Sequence, residues 1–311
     1  MIKQKINWID NIKALGILAV ILGHIASPFG SFIFSWHMPL FFMLAGFFVR
    51  FDLSLKELII KDFKRLMIPY FIFVIVGLIM ETLKRIALHR EALDYVNEFK
   101  AAFIWMDMTS LLHTYAFVLW FLPALFFARV ILVILNKYIQ NILLQLVFVF
   151  TVFISSFYID LPFGIDNAMN ALIFVFIGNI FFRFHQDNKI VYVLPFLLIS
   201  SYFLFGIPTL DMSTKSYGPI ILNIAWAVAM VGTLVIIFKK LNIKSQILTL
   251  WGGNTMLLFI IHPYTNNIAH IVVEKLHFGD WYLKLFISLA LLQCLLFIKL
   301  KFAHRGILKY V

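Results

Sequence analysis

Three ionisable side chains in the first apolar stretch have a spacing that suits a long anionic ligand: Asp10, Lys13 and His24. In a helix, the eleven residues from Lys13 to His24 make three turns plus about 20°, so both side chains share one face about 16 Å apart. Asp10 lies one turn earlier on roughly the same side. A ligand could place its charged head at Lys13 and its far end at His24. The alternative is that Lys13 only sets membrane orientation and His24 bonds a neighbouring carbonyl.

A second histidine lies beside a proline, where a membrane helix is expected to break. Pro39 lacks an N–H and biases the preceding residue away from helix, which predicts irregular backbone next to His37. Such backbone is tolerated at membrane depth only against protein or a wet cavity. We therefore expect His37 to line an interior cavity from the outer side. An interfacial histidine at a helix start is the competing interpretation.

Three cations follow this stretch at spacings of three and four residues, which are typical of side chains on one helix face. Lys61 lies three residues before Lys64 and four before Arg65, which predicts one positive patch. Lysine and arginine bind phosphate through charge and through forked donors. The patch is either a phosphate site or a contact with lipid headgroups.

Four further polar residues are candidates for recognising hydroxyl groups. His262 directly precedes a proline after an apolar run, which indicates either a polar group at depth or the cap of a broken helix. Trp120, Asp166 and Asn167 start apolar runs on the expected outer side, where loop polarity also explains them. Neither metal-ligand spacing nor a catalytic serine elbow is present, and a single cysteine excludes internal disulfides and cysteine-based zinc sites.

The elements that must position these residues are membrane helices. The 311-residue chain is 63% hydrophobic and 13% charged, against about 25% charged in a soluble domain. This composition excludes a soluble enzyme, a disordered chain and a disulfide scaffold. We expect an all-α integral membrane protein with about ten transmembrane helices, some broken. The predicted spans lie near residues 12–28, 32–49, 66–83, 115–135, 142–158, 168–184, 190–207, 219–238, 254–273 and 281–300.

The net charge of +11 has a topological interpretation. Lysines and arginines favour the side of the N-terminus by more than two to one, which predicts that both termini are cytoplasmic. Nucleic-acid binding is disfavoured, because the sequence shows no basic face interleaved with aromatic residues. Residues 1–311 are expected to form a single transmembrane domain without a fused soluble domain.

A series of sequence blocks, in order along nearly the whole chain, resembles the membrane acyltransferase 3 family. The first reads IDNIKALG, and later ones include VILGH, WHMPLFFMLAGF and GNTM. The most similar branch is the sugar O-acetylases of the fucose 4-O-acetylase type. The blocks are residues 9–16, 20–24, 36–47, 64–70, 120–126, 176–179, 253–256 and 262–263.

The resemblance implies a ten-helix enzyme that moves an acetyl group from cytoplasmic acetyl-CoA, as co-substrate, to a hydroxyl of a cell-surface glycan or a lipid-linked oligosaccharide. The implied location is the bacterial inner membrane. The family's Arg-x10-His motif maps onto Lys13 and His24, with lysine replacing arginine. Its two-arginine motif maps onto Lys61, Lys64 and Arg65, with one arginine retained.

On this basis His24, His37 and Asp10 are the candidate catalytic residues. Neutral His24 would act as general base on the acceptor hydroxyl, or would carry a transient acetyl group that His37 relays outward. Lys13, Lys61, Lys64 and Arg65 would bind the donor. Two other classes stay open: a glycan or small-molecule transporter or flippase, and a structural partner in a glycan-export complex.

Overall fold

The computed structural model describes residues 7–184 and 189–302, and 78% of the structure is helical. The described residues form fourteen α-helices. Their bounds are α1 Asn7–Gly23, α2 Gly30–Phe34, α3 His37–Phe47, α4 Leu55–Asp62, α5 Ile68–Ala87, α6 Tyr95–Lys100, α7 Phe121–Tyr138, α8 Ile142–Ser155, α9 Ile165–Phe184, α10 Leu194–Phe205, α11 Ile220–Leu241, α12 Gln246–Gly253, α13 Thr255–Leu276 and α14 Trp281–Phe302.

Shorter elements connect these helices. A small antiparallel hairpin pairs β1, Leu210–Asp211, with β2, Ser216–Tyr217. Two π-helical turns extend neighbouring α-helices, and three 3-10 turns precede others. They are the π turns Phe63–Met67 and Ala101–Trp105 and the 3-10 turns Tyr115–Trp120, Pro162–Gly164 and Lys189–Val193.

Seven helical segments of the described chain are long and apolar enough to cross a membrane: Gly30–Phe47, Leu55–Ala87, Tyr115–Tyr138, Pro162–Phe182, Ile220–Leu241, Thr255–Leu276 and Trp281–Phe302. Two shorter apolar helices are Ile142–Ser155 and Val191–Phe205. Helix α1, with 17 residues, is about 26 Å long. A helical, multi-pass membrane architecture is therefore supported, whereas ten spans and the side of each terminus stay predictions.

Helix α1 begins and ends about five residues earlier than predicted. It runs from Asn7 to Gly23, because polar residues of its first turns pack inside the protein. Asp10 and Asn11 are both buried, and the Asn11 side-chain amide donates to the carbonyl of Ile243 at 2.8 Å. Consequently His24 follows the last residue of α1 and does not lie in the middle of the helix.

The second predicted span is broken, but the break lies before the position expected from its proline. Helix α2 ends at Phe34, and α3 begins at His37. Pro39 is the third residue of α3. The N–H groups of a helix's first turn have no carbonyl partner within the helix, so a proline is tolerated there. The two residues between the helices, Ser35 and Trp36, are buried. The interruption therefore places His37 at the first turn of a short helix.

The basic segment is helical and continues directly into the third predicted span. Helix α4 starts at a reciprocal capping box between Ser54 and Glu57. A π-helical turn then joins α4 to α5 just before Pro69, whose ring removes one donor from the helical ladder. Helix α12 and the β1–β2 hairpin were not predicted at all.

Close packing of α3 against α9 depends on two glycines. A Cβ atom added to Gly46 would clash with the carbonyl oxygen of Val175, and one added to Gly178 would clash with that of Met43. The Asn179 side-chain amide donates to the Gly46 carbonyl at 3.0 Å across the same contact. Small residues let membrane helices approach closely in this way.

We predict that Gly178→Ala lowers thermal stability, because the new methyl group must push two backbones apart. Overpacking of this kind costs about 1–3 kcal/mol. The measurement is the Tm of the purified protein in detergent. The same change at Gly30, where an added Cβ meets no atom within 4 Å, is the matched control. Equal Tm shifts for the two variants would contradict this packing.

Candidate functional site

Three histidines occupy one region of the helix bundle, and each ring is held in the same way. The Nδ1 atoms of His24, His37 and His262 lie 3.0, 2.8 and 2.7 Å from backbone carbonyl oxygens three or four residues earlier. A carbonyl only accepts hydrogen bonds, so Nδ1 carries the proton. In its neutral form, each ring therefore presents the lone pair of Nε2.

Two of these rings contact each other directly. The centroids of His24 and His262 are 5.1 Å apart, edge to face. Phe34 lies between His24 and His37, with centroid distances of 5.6 and 5.1 Å to them. His262 is fully buried, and its Nε2 has no hydrogen-bond partner in the described part of the chain. A buried acceptor without a donor is costly, which marks this ring pair as a candidate ligand contact.

A cavity of about 310 Å³, which we call the histidine cavity, opens beside His24. It contains hydroxyl, amide, imidazole and ammonium groups, and therefore both donors and acceptors for a hydroxylated ligand. Its lining residues are His24, Ile25, Ala26, Tyr115, Phe117, Pro263, Asn266, Asn267, His270 and Lys284.

A second cavity of about 340 Å³, which we call the cationic cavity, lies towards the start of α1. It combines three cations with one acid and an apolar end. Its lining residues are Lys13, Phe41, Leu44, Ala45, Phe48, Asp62, Arg65, Leu66, Phe121, Leu125, Arg129, Gly253, Thr255, Met256 and Phe259. This composition suits a ligand with an anionic head and an apolar arm.

Aromatic rings separate the two cavities. Phe121 contacts Phe41 and Phe259 in the cationic cavity, with centroids 6.2 and 5.4 Å apart. Phe259 then contacts His262 at 6.0 Å, and His262 contacts His24. A series of contacting rings, from Phe259 through His262 to His24, therefore connects the two cavities.

Arg129 and Asp62 form a buried ion pair at the cationic cavity. The Arg129 Nε donates to an Asp62 carboxylate oxygen at 2.7 Å, and its Nη1 donates to the Ala45 carbonyl at 2.8 Å. Their side chains are 7% and 2% exposed. Arg129 lies inside the predicted span 115–135, and a charge at that depth is itself a signal of function that the sequence reasoning missed.

The predicted donor-binding residues divide into two groups. Lys13 and Arg65 line the cationic cavity. Lys61 and Lys64 are exposed and do not line it. Asp10 forms an ion pair with Lys13 at 3.2 Å and precedes His24 by fourteen residues, or about 21 Å of helix. The structure thus places Asp10 beside Lys13 and away from the imidazoles.

Three predicted acceptor-binding residues lie away from both cavities. Trp120 is buried, and its ring packs 6.3 Å from that of Phe42. Asp166 forms an ion pair with Lys215 at 2.7 Å. Asn167 is buried, and its side-chain oxygen has no partner among the described residues.

The β1–β2 hairpin covers the N-terminal end of α9 through polar contacts. The Tyr217 hydroxyl donates to the Asn170 side-chain oxygen at 2.7 Å, and burial raises the pKa of Tyr217 well above its usual value. Burial also lowers the pKa of Lys215, but its contacts with Asp166 and Asp160 outweigh that effect and the net pKa is raised. Both groups therefore keep their protons and act as donors.

Neither cavity has the ligands of a metal site. Within residues 7–184 and 189–302, histidine, cysteine and carboxylate side chains do not form a group of three that could hold a metal ion.

We predict that Asp62→Asn destabilises the protein strongly, because it leaves Arg129 charged and unpaired in the interior. Breaking a buried pair typically costs about 3–5 kcal/mol. Thermal unfolding in detergent measures the effect. Asp52→Asn, which removes the acid of the exposed Arg50–Asp52 pair, is the matched control and should leave the Tm unchanged. A similar Tm for both variants would refute a structural role for the buried pair.

A comparison with protein families gives one match. A family model described as an acyltransferase domain matches residues 6–301. A search of curated proteins and a search of solved structures gave no significant match.

Proposed function

Since the chain belongs to the acyltransferase 3 family, we propose that this membrane acyltransferase moves an acetyl group from acetyl-CoA to a hydroxyl of a cell-surface glycan or its lipid-linked precursor. The observation that carries the proposal is the ring series Phe259–His262–His24, which connects the cationic cavity to the histidine cavity. Two substrates that enter from opposite ends could react there. The proposed location is the inner membrane of a bacterium.

The cationic cavity is the proposed site for the donor. Acetyl-CoA has a polyphosphate head, a thin arm and a terminal thioester. Lys13, which also contacts Asp10, and Arg65 offer charge for the phosphates, while Arg129 is held in the buried pair with Asp62. The apolar side chains beyond them, including Phe41 and Phe259, would pack against the arm. Lys13 replaces the arginine of the family motif and contacts phosphate as a point charge, without a fork.

The histidine cavity is the proposed site for the acceptor hydroxyl. His24 is partly exposed there, and its Nε2 lone pair can accept a hydrogen bond from the hydroxyl. Asn267 supplies a further polar contact at the same cavity. His262, placed edge-on against His24, is the proposed second contact at the reacting group.

The proposed chemistry is general-base catalysis. His24 Nε2 accepts the hydroxyl proton while the hydroxyl oxygen bonds to the thioester carbonyl carbon. The carbon–sulfur bond then breaks, and the proton held by His24 restores the sulfur to a thiol. The hydrogen bond from Nδ1 to the Val20 carbonyl fixes the tautomer that this step needs. A transient acetyl group on His24 is the other route, and in that route Phe34 separates His37 from the acetylated ring.

A carrier is the second candidate function, because cavities near opposite ends of one helix also suit alternating access. The two functions differ in their chemistry. A transferase consumes acetyl-CoA and forms an ester, whereas a carrier does neither.

We predict that His24→Ala lowers acetyl transfer by about 10²–10⁴-fold, the usual contribution of a general base. The assay follows labelled acetyl from acetyl-CoA to surface glycan of the host, with the purified protein in nanodiscs. His113→Ala is the control, because His113 is exposed and lines neither cavity. Full activity of the His24 variant would exclude both the base and the acetyl-histidine routes.

We also predict that Lys13→Met raises the KM for acetyl-CoA about tenfold or more, because a charge-assisted phosphate contact is lost. The matched control is Lys64→Met, which removes an exposed lysine that does not line the cavity. Initial rates across a series of acetyl-CoA concentrations separate KM from kcat. Equal KM values for the two variants would count against the donor site.

A further inference from the structure

We propose that the acceptor carries an anionic group, a carboxylate or a phosphate, close to the hydroxyl that is acylated, and that Lys284 and Asn267 bind this anion. The inference rests on the proposed function and narrows its acceptor class. It starts from the charges that line the histidine cavity.

The histidine cavity has one lysine and two histidines in its lining, and no carboxylate of the described residues lines it. The ionisable lining groups are His24, His270, Lys284 and the phenol of Tyr115. His270 already contacts Glu274 at 3.0 Å, outside the lining. The cavity therefore attracts negative charge and disfavours a cationic ligand.

Lys284 lies in the first turn of α14 and is half-buried. Two other half-buried lysines are paired: Lys84 lies 2.6 Å from Glu81, and Lys215 lies 2.7 Å from Asp166. No carboxylate of the described residues lies within ion-pair distance of the Lys284 ammonium. Asp280, one turn earlier, instead accepts the backbone N–H of Trp281 at 2.7 Å. An ammonium without a partner at a cavity wall is a ready anion contact.

Asn267 supplies a second, independent donor. Its side-chain oxygen accepts the Tyr115 hydroxyl at 3.0 Å, which leaves its side-chain NH₂ facing no acceptor among the described residues. Asn266 differs, because its NH₂ donates to the Ile21 carbonyl at 3.2 Å and its oxygen accepts from Ser288 at 2.6 Å. Carboxylate and phosphate groups accept hydrogen bonds only, so they match a free amide donor and a free ammonium.

His24 borders the same cavity and presents an acceptor. The cavity thus offers one basic nitrogen for a hydroxyl proton and two donors for an anion. A sugar acid, or a sugar next to a phosphate, combines both groups in one small ligand. A neutral sugar offers the ammonium and the amide only uncharged oxygens as acceptors, without the stronger charge-assisted contact that an anion makes.

The test compares host cells that lack the gene with cells complemented by the wild type, Lys284→Met, Lys284→Arg or Lys275→Met. Lys275 is exposed and lines neither cavity, so it is the matched control. Mass spectrometry of the surface glycan gives the amount of acetyl ester and the residue that bears it. Membrane levels of each variant are measured in parallel, and Lys284→Gln replaces the methionine variant if that one does not accumulate.

We expect the ester on a glycan residue that carries, or is directly attached to, a carboxylate or a phosphate, and the fragment mass distinguishes the two anions. Lys284→Met should reduce the ester about tenfold, Lys284→Arg should retain most of it, and Lys275→Met should leave it unchanged. An ester on a neutral residue with neutral neighbours overturns the inference. So does unchanged ester in the Lys284→Met strain, which would assign this lysine to lipid headgroups. Equal acetylation with and without the gene overturns the proposed function itself, and the inference with it.

Discussion

The rigid length of α1 is the constraint on which the rest of the structure depends. Lys13 lies near the start of the helix and His24 directly follows its end, eleven residues later, which corresponds to about 16 Å along the helix axis. Burial along most of its length holds it in place. Gly252 of α12 packs so tightly on the Asp10 carbonyl that no side chain fits between them. The two cavities therefore keep a constant separation, which suits a donor with a long, thin arm.

Neighbouring helices supply the other residues that line the cavities at the two ends of α1. Residues of α3, α7 and α13 supply the rings between the cavities, and the tight α3–α9 contact supports α3 from behind. The ion pair of Arg129 with Asp62 joins α7 to the end of α4 in an environment where an unpaired charge is costly. A single fixed arrangement of charges and rings results. Such preorganisation is what electrostatic catalysis requires.

The sequence predicted those features that depend on local spacing. The helical position of Lys13, the broken second span and the apolar helical segments all follow from periodicity and composition. His24 was expected inside the first helix and lies just after its end. Features that depend on distant partners were out of reach. The contact of His24 with His262 joins residues 238 positions apart, and that of Arg129 with Asp62 joins residues 67 apart.

The same limit explains the misplaced boundaries. The polarity of Asn11 predicts a position outside the membrane helix. Its side-chain NH₂ instead donates to the carbonyl of Ile243, far along the chain, and the helix starts before it. Trp120 and Asp166 are residue types that often bind ligands. In this structure Trp120 packs on Phe42, and Asp166 forms an ion pair with Lys215. The type of a polar or aromatic residue does not reveal whether its side chain contacts a ligand or another part of the protein. Only tertiary packing decides that.

The most direct measurement of the central claim is a cryo-EM structure of the full chain with a non-hydrolysable acetyl-CoA analogue. We expect the phosphates at Lys13 and Arg65 in the cationic cavity, with the acyl carbonyl at the ring series, within reach of His24. The opposite result would be an analogue bound elsewhere, or an acyl group that points away from His24 and His262. That result would contradict the assignment of the two cavities to donor and acceptor.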